Sequence, residues 1–563
     1  MSARKLIECV PNFSEGVNMD IIDEICAEIQ TVPEVKLLDV DPGKATNRTV
    51  VTFVGPPEPV CEAAFLAIKK ASELIDMSQH KGEHPRMGAT DVCPLIPIAN
   101  ISMEETAEYA RKLASRVGDT LAIPVYLYES AASKPERKNL AIVRSGEYEG
   151  LEKKLADPEW GPDYGPATFN PKAGATAIGA RDFLVAYNVN LNTTSVRRAN
   201  AVAFDVRENG RVKREGNPVT GKILRDSEGN ALRESGSLKS VKAIGWFIEE
   251  YGIAQISMNL TDINITSLHK AFEEVRSSAN KRGLRVTGSE LVGLVPKKVL
   301  LEAGKYFLTQ QNRSLGISED QIIHIAVKSL GLDELKPFDP KKKVIEYLLE
   351  EEEQRPLVHM TLTGFADETA SESPAPGGGS ISAYVGALGV SLGTMVANLS
   401  AHKRGWDDKW EFYSQVAEKG QLLKDKLLFL VDEDTQAFNG ILTAMRIPKG
   451  TDEEKATRIN ALNAATRYAI NVPLDIMKTS VEAFPICQLM AEKGLQASLS
   501  DAAVGASCAY TSVYGAYLNV LINCKDFGDS DFVENVLKEA RSILSKAETE
   551  RDTILKTVEG ALQ

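Results

Sequence analysis

Phe183-Leu-Val-Ala-Tyr-Asn-Val-Asn-Leu191 echoes Lys5-Leu-Ile-Glu-Cys-Val-Pro-Asn-Phe13: each is a short apolar run that reaches an Asn and passes into a polar turn and a helix-patterned segment. After the first run the pattern predicts a helix near Asp20 to Gln30, strands around Val35 to Asp39 and Thr49 to Gly55, a helix from Pro57 to Ile75 and, beyond another helix, a strand from Thr120 to Tyr128. After the second it predicts a helix from Ser195 to Val206, strands at Val241 to Glu249 and Ala254 to Asn259, and a helix from Ser267 to Arg282. One βαβ-type plan is therefore expected twice. The hydrophilic segment Arg207 to Ser237 reads as a surface hairpin or flexible loop. From Pro337 to Pro374, charge runs (Lys341-Lys-Lys343, Glu350-Glu-Glu-Glu353) and Pro/Ser-rich stretches predict an inter-domain connection with one short helix, the charges lying on solvated faces. Beyond Gly377 nearly every window has period 3.6, so this part is expected to be an all-helical bundle.

A chain of 563 residues exceeds one core and should form three or four units. Its 25% charged and 43% hydrophobic residues are the mix of a globular protein. A net charge of −13 argues against nucleic-acid or anionic-membrane partners, which need clustered Lys and Arg. Seven cysteines (Cys9, Cys26, Cys61, Cys93, Cys487, Cys508, Cys524) without a C-x-x-C pair read as reduced thiols, and the N-terminus shows no apolar signal region, so a cytoplasmic location is expected. The apolar stretch Ile381 to Leu399 has membrane-spanning length, but its Gly, Ala and Ser content points to a buried bundle helix.

Chemistry concentrates in Asp76-Met-Ser-Gln-His-Lys-Gly-Glu-His-Pro-Arg-Met-Gly-Ala-Thr-Asp-Val-Cys-Pro94. His80, Glu83, His84 and Arg86 bring imidazoles, a carboxylate and a fixed cation together, while Gly82, Pro85 and Gly88 interrupt any helix. Three readings stand: solvated histidines on a polar loop, a zinc site, or general acid/base catalysis. His80 to His84 spells H-x-x-E-H, but that signature needs a helix to place both rings on one face, and Gly82 and Pro85 oppose one. A second candidate is Asp434. In helical projection Leu427, Leu430, Val431, Phe438 and Leu442 form an apolar stripe with Asp434 in its middle, where burial without a cation would raise its pKa and suit it to proton transfer. The alternative is a half-exposed Asp on the stripe's edge; Asp432 and Glu433 read as solvent-side charges.

The loop resembles the active-site loop of the formiminotransferases, folate enzymes of histidine degradation. The resemblance runs through Leu6-Ile-Glu-Cys-Val-Pro-Asn-Phe-Ser-Glu-Gly16, Leu38-Asp-Val-Asp41, Thr46-Asn-Arg-Thr49, Trp160-Gly-Pro-Asp-Tyr-Gly165, Gly174-Ala-Thr176 and Ser289-Glu-Leu-Val-Gly-Leu-Val-Pro296. It continues through Pro374-Ala-Pro-Gly-Gly-Gly-Ser380 and Leu430-Val-Asp-Glu-Asp434, which look like the opening and the active helix of a cyclodeaminase. Nearly the whole chain thus resembles the bifunctional formimidoyltransferase-cyclodeaminase family, whose vertebrate form is shorter across Arg207 to Ser237.

The resemblance implies a multidomain α/β-then-all-α protein: ferredoxin-like βαβ subdomains at 1–183 and 184–349, a linker at 350–357 and a helical cyclodeaminase at 358–563. It implies transfer of a formimino group from N-formimino-L-glutamate to tetrahydrofolate as co-substrate, then closure of 5-formiminotetrahydrofolate to 5,10-methenyltetrahydrofolate with loss of ammonia. His84 matches the transfer base; an imidazole can take the proton from the attacking nitrogen and give one to the departing one. Asp41 is its candidate partner, the alternative being a turn aspartate before Pro42-Gly43. Arg48 and Arg86 are candidates to hold substrate carboxylates. The family's folate stretch maps onto Gly165, Pro166, Ala167, Thr168, Phe169, Asn170, Pro171, Lys172, Ala173 and Gly174, with Phe169 able to stack on a pterin, glycines permitting close backbone approach, and Gly236 a further match. Asp434 takes the place of the cyclodeaminase acid/base. The turn before Ser380 either brings backbone N–H groups to the ligand or makes Ser380 a helix N-cap. No metal, nucleic-acid or membrane partner is implied. The expected partners are formiminoglutamate and folates, polyglutamylated forms included, and further copies of the chain in a homo-oligomer. Rival readings are a zinc hydrolase using His80 and His84, a formyl-transferring relative, and a non-catalytic folate binder.

Overall fold

The computed structural model describes residues 5–44, 47–82, 85–217, 220–349 and 355–563. Its contacts divide the chain into Met1–Val299 with Leu330–Leu348, and Leu300–Ser329 with Leu349–Gln563.

The first unit opens with β1 (Leu6–Cys9), β2 (Asn12–Phe13), α1 (Met19–Gln30), β3 (Lys36–Gly43), β4 (Arg48–Gly55), α2 (Pro57–Leu74) and β5 (Thr90–Ala99). The expected first strand is interrupted after Cys9 because Pro11 has no N–H for a sheet ladder. Strand β4 lies between β3 and the β1–β2 pair, which also joins β5, all antiparallel. Then α3 (Met103–Leu121) leads to β6 (Val125–Glu129), α4 (Leu140–Val143), α5 (Leu151–Leu155) and β7 (Thr176–Ala180), and β7 adds in parallel to β5 and to β6. The second half contains β8 (Val185–Leu191), α6 (Val196–Val206), β9 (Arg211–Val212), β10 (Arg233–Glu234), β11 (Val241–Ile248), β12 (Ile253–Leu260), α7 (Leu268–Lys281) and β13 (Val286–Val292). Its main sheet runs β11-β12-β8-β13, antiparallel throughout. Setting aside the β9–β10 hairpin, which is the expected excursion of Arg207 to Ser237, and the β6–β7 extension of the first sheet, both halves read βαββαβ with strand order 2-3-1-4. The echo between Lys5 and Phe183 is therefore a repeat of topology.

Strand alternation divides each sheet. Ile7, Cys9, Val51, Phe53, Cys93 and Leu95 face the helix-covered core, whereas Glu8, Val10, Val50, Thr52, Pro94 and Ile96 face a cavity. In the second sheet Val241, Ala243, Met258, Leu260 and Leu291 are buried, while their neighbours Lys242, Asn259 and Val292 line the same cavity.

After β13 come α8 (Lys297–Gln310), α9 (Glu319–Leu330), α10 (Pro340–Lys343), α11 (Ile345–Leu349) and α12 (Leu362–Thr369). The expected connection with one short helix thus holds three, because Asp339 caps α10 and Thr361 caps α12, each by accepting a backbone N–H. Glu350 to Glu353 lie outside the described residues.

The second unit is helical: α13 (Gly378–Ala401), α14 (Trp410–Met445), α15 (Asp452–Val481), α16 (Ala483–Lys493), α17 (Leu499–Cys524) and α18 (Ser530–Leu562). Leu300–Ser329 packs with it, as Leu315 N–H donates to Ser414 Oγ at 2.9 Å and Asn398 Nδ2 to the Gly316 carbonyl at 2.8 Å. α13 is long and apolar enough to cross a membrane, yet it runs against α14 and α17 with its Gly, Ala and Ser residues inward. At its crossing with α17, Cβ atoms added to Gly389 or Gly505 would each come 2.7 Å from the other's carbonyl oxygen. Neither backbone can yield without parting the helices. Gly389→Ala is therefore expected to lower the helical unit's unfolding free energy by about 2 kcal/mol or more. Gly440→Ala, whose Cβ would meet only Ala465 at 4.0 Å, should leave it unchanged or raise it by about 0.5–1 kcal/mol. Denaturant melts of both variants, followed by helical circular dichroism, check the contrast.

Candidate active sites

The cavity between the open sheet faces of the first unit measures about 920 Å3. Its cationic lining comes from Arg48, Arg144, Arg181 and Lys242, and its acidic lining includes Glu8, Asp39 and Asp41. Asp41 is not a turn residue. Asp41, Pro42 and Gly43 continue β3 opposite Val50, Thr49 and Arg48, and Pro42 is tolerated because β3 is an edge strand. Arg48 donates from Nε to Asn12 Oδ1 at 2.9 Å, and burial lowers its pKa to about 10, against the pull of Asp91. Asp91 is fully buried beneath the wall; it accepts Met87 N–H at 3.0 Å and pairs with Arg144 at 2.8 Å. Burial raises its pKa, and Arg144 and then Arg48 oppose the rise. Asp91 thus holds Arg144 at the cavity from behind.

Arg86 lies elsewhere. Its guanidinium grips Glu149 through two hydrogen bonds of 3.0 and 2.7 Å, reaches Glu147 at 3.4 Å, and lines a shallow recess with Lys81 and Gly82. It does not join Arg48, since its donor fork is already occupied. His80 is held at both ring nitrogens: Nε2 lies 2.9 Å from the Asn47 carbonyl oxygen, to which it donates, and Nδ1 accepts from Arg86 Nε at 3.3 Å. These bonds leave no lone pair for zinc in this arrangement. Glu83 and His84 lie outside the described residues.

Residues 165–174, where the resemblance places folate, pack on the segment running from Met77 to Ala89. Met77 N–H donates to the Lys172 carbonyl at 3.0 Å, Ala89 N–H to the Ala173 carbonyl at 2.9 Å, and Gly88 bridges Gly174. Phe169 is half-buried against Tyr148, ring centroids 5.4 Å apart, and the Tyr148 hydroxyl donates to the Pro171 carbonyl at 2.6 Å. Asn170 Oδ1 accepts from the N–H groups of Lys172 and Ala173, while Pro166, Ala167 and Thr168 approach the surface. The glycines serve internal packing rather than ligand approach. Gly165 has φ +80° with Ile123's carbonyl 2.3 Å from an added Cβ, and Gly174 has φ +65° with Met87's carbonyl at 2.2 Å. None of residues 165–174 lines the 920 Å3 cavity. Gly236 is a separate feature, packed on the Arg207 carbonyl at the foot of the β9–β10 hairpin.

In the helical unit Asp434 meets the first turn of α13. Its Oδ2 accepts the Ser380 N–H at 3.0 Å and the Ser380 hydroxyl at 3.4 Å, and that hydroxyl also donates to the Val431 carbonyl at 2.7 Å. Ser380 is therefore not the N-cap, which is Gly377; the carboxylate of α14 satisfies an orphan N–H of α13. Gly379 is obligatory, because an added Cβ would lie 2.1 Å from Asp434 Oδ1. Burial raises the Asp434 pKa and the Ser380 bonds only partly offset it, with no cation among its partners. The apolar stripe departs from expectation: Leu427, Leu430 and Val431 are buried, but Phe438 is 39% exposed while Ala437 beside it and Ala444 further on are buried, so the packed face of α14 shifts past Asp434. Asp432 also departs from expectation. It is 3% exposed and its oxygens accept the N–H groups of Leu357 and Val358 at 2.9 and 3.3 Å, fastening the incoming chain.

Glu8, Asp91, Arg144, Arg181 and Lys242 were not singled out by motif. The available signal was a charge inside an apolar strand, as in Leu-Ile-Glu8-Cys and Thr-Asp91-Val-Cys.

Comparison with known proteins places these sites in context. Residues 6–181 match the formiminotransferase domain, N-terminal subdomain; residues 186–350 the formiminotransferase domain; and residues 361–542 the formiminotransferase-cyclodeaminase model. The formimidoyltransferase-cyclodeaminase of Mus musculus is 44% identical over 99% of both chains. The glutamate formimidoyltransferase of Streptococcus pyogenes is 44% identical over 54% of this chain and 93% of its own. The methenyltetrahydrofolate cyclohydrolase of Methylorubrum extorquens is 36% identical over 35% of this chain and 95% of its own. With full-length identity and all three domain models in order, the chain belongs to the formimidoyltransferase-cyclodeaminase family.

Proposed function

We propose that the chain runs two consecutive folate reactions of histidine degradation at two separate places. The first moves the formimino group of N-formimino-L-glutamate to N5 of tetrahydrofolate in the first unit. The second closes 5-formiminotetrahydrofolate to 5,10-methenyltetrahydrofolate at Asp434 with release of ammonia. The observation that carries this division is the carboxyl of Asp434, buried without a cation against the start of α13, far in sequence from the transferase motifs.

In transfer, Arg48, Arg144, Arg181 and Lys242 supply positive charge for the two carboxylates of the donor, and Asp91 fixes Arg144 for that task. His84 relays the proton from the attacking N5 to the departing glutamate nitrogen, with Asp41 as its partner on the cavity wall. The packing of residues 165–174 on the His84 loop supports a pterin held beside that loop. In cyclisation, a neutral Asp434 protonates the amino group that leaves as ammonia. The half-exposed apolar side chains Leu388, Met395 and Leu399 on α13 support assembly into a homo-oligomer, and the free thiols fit a cytoplasmic enzyme.

His84→Ala is expected to abolish transfer while leaving cyclisation of supplied 5-formiminotetrahydrofolate intact, and Asp434→Asn to do the reverse. Absorbance of methenyltetrahydrofolate measures both, and loss of both activities in either single variant contradicts the division.

Asp434→Asn carries a second expectation. The folded pKa of Asp434 lies above its unfolded value of about 4, so the wild type loses stability as pH rises from about 4 through the folded pKa. Asparagine keeps an acceptor for Ser380 N–H without the buried charge. The variant's helical unit should therefore melt higher than wild type at pH 8, with the gap closing below about pH 4. A gap independent of pH would mean that Asp434 is not buried as a charge.

A further inference from the structure

Glu8 stands on β1 between Val54 and Ile96 in the middle of the first sheet, and its side chain points into the cavity. It is 3% exposed, yet no described residue donates a hydrogen bond to its carboxyl. The other acids of the wall differ. Asp41 and Glu129 are exposed, Asp39 takes a backbone bond from Val40, Asp182 accepts Phe183 N–H, and Asp262 accepts the N–H groups of Asn264 and Ile265. A buried carboxyl without a donor is costly to the fold, and burial holds its pKa up at about 7 against the nearby positive charge of Arg181. Its open side is the cavity, so a donor atom for it comes from there, from water or from a bound molecule.

Resting on the reading of this cavity as the transfer site, the substrates supply such an atom. The donor's formimino group is an amidine: protonated, its terminal nitrogen carries N–H bonds and positive charge, the complement of a carboxylate. A formyl group puts a carbonyl oxygen there, which only accepts. We propose that Glu8 is a specificity-determining residue, receiving the terminal N–H of the amidinium and so selecting formimino over formyl donors. In the transfer step N5 forms a bond to the amidine carbon, the carbon–nitrogen bond to glutamate breaks, and the proton lost by N5 goes to the glutamate nitrogen. Glu8 holds the terminal nitrogen through the tetrahedral stage without net gain or loss of a proton. Its selectivity belongs to the ionised form, in which a carboxylate facing a carbonyl oxygen leaves both groups unpaired, so discrimination is read above pH 7, where Glu8 no longer carries a proton to donate.

Glu8→Gln tests this. The amide is isosteric and can either accept from an amidine or donate to a carbonyl. Measured on the full chain with N-formiminoglutamate and N-formylglutamate as donors and tetrahydrofolate as acceptor, the formimino-to-formyl ratio of kcat/KM should fall at least tenfold. The KM for formiminoglutamate should rise, and cyclisation of supplied 5-formiminotetrahydrofolate should stay at the wild-type rate. Should the amide variant fail to fold, Glu8→Asp, which keeps the charge but withdraws it by one methylene, should lower the same ratio. Arg48→Met separates the layers. If it lowers transfer while Glu8→Gln leaves the ratio unchanged, the assignment of Glu8 is overturned and the cavity stands; if neither substitution alters transfer, both fall.

Discussion

Coverage of each sheet by its long helices on one face only is the constraint on which the transferase half depends; the short α4 and α5 close just the β6–β7 end of the other face of the first sheet. In a βαββαβ unit both crossovers lie on the same side, so alternation sends every second residue of the central strands away from the helices. Ile7 and Cys9 enter the core while Glu8 goes the other way; Lys242 does the same between Val241 and Ala243. Repeating the unit provides two such faces in one chain, and the polar residues that a helix-covered face would reject become the walls of a cavity. A register slip of one residue in β1 would place Glu8 in the core and Ile7 in the cavity, so fold and site are fixed by the same pairing.

The helical half solves a different problem with the same economy. The opening of α13 has no side-chain cap, and its orphan N–H groups are partly satisfied by Asp434 from α14. Gly379 lets the carboxylate come close, and the chain entering the bundle is tied two residues earlier on α14 by Asp432. The two acids are neighbours in sequence but not in chemistry. Asp432 is satisfied by two backbone N–H groups, whereas Asp434 is desolvated more than its single backbone partner and Ser380 hydroxyl can offset, leaving it disposed to hold a proton.

Much of this was legible in sequence because it rests on local signals. The echo of Lys5 to Phe13 in Phe183 to Leu191 located both halves, and period 3.6 announced the all-helical part beyond Gly377. What escaped depends on the third dimension. Asp432 and Asp434 both lie in the same charged triplet, and helical projection could not show that the segment near Leu357 returns to cover one of them. Arg86 and Arg48 looked equivalent as loop cations, yet Glu149, distant in sequence, occupies the first. Phe438 continued the stripe on paper but is exposed, because the packed face of α14 passes to Ala437 and Ala444 there. Glycines at 165 and 174 suggested ligand approach when the nearest backbone is the protein's own.

The two sites also share a thermodynamic character. Interiors made only for stability pair their charges, as Arg137 does with Asp163 at 2.6 Å, both almost fully buried. Glu8 and Asp434 depart from that rule in different folds, one on a strand and one at a helix terminus, and both carry raised pKa values caused first by burial. Packing alone would favour replacing either with a neutral residue of the same shape. Two carboxyl groups kept buried and incompletely compensated cost the fold stability, which is the mark of groups retained for something other than packing.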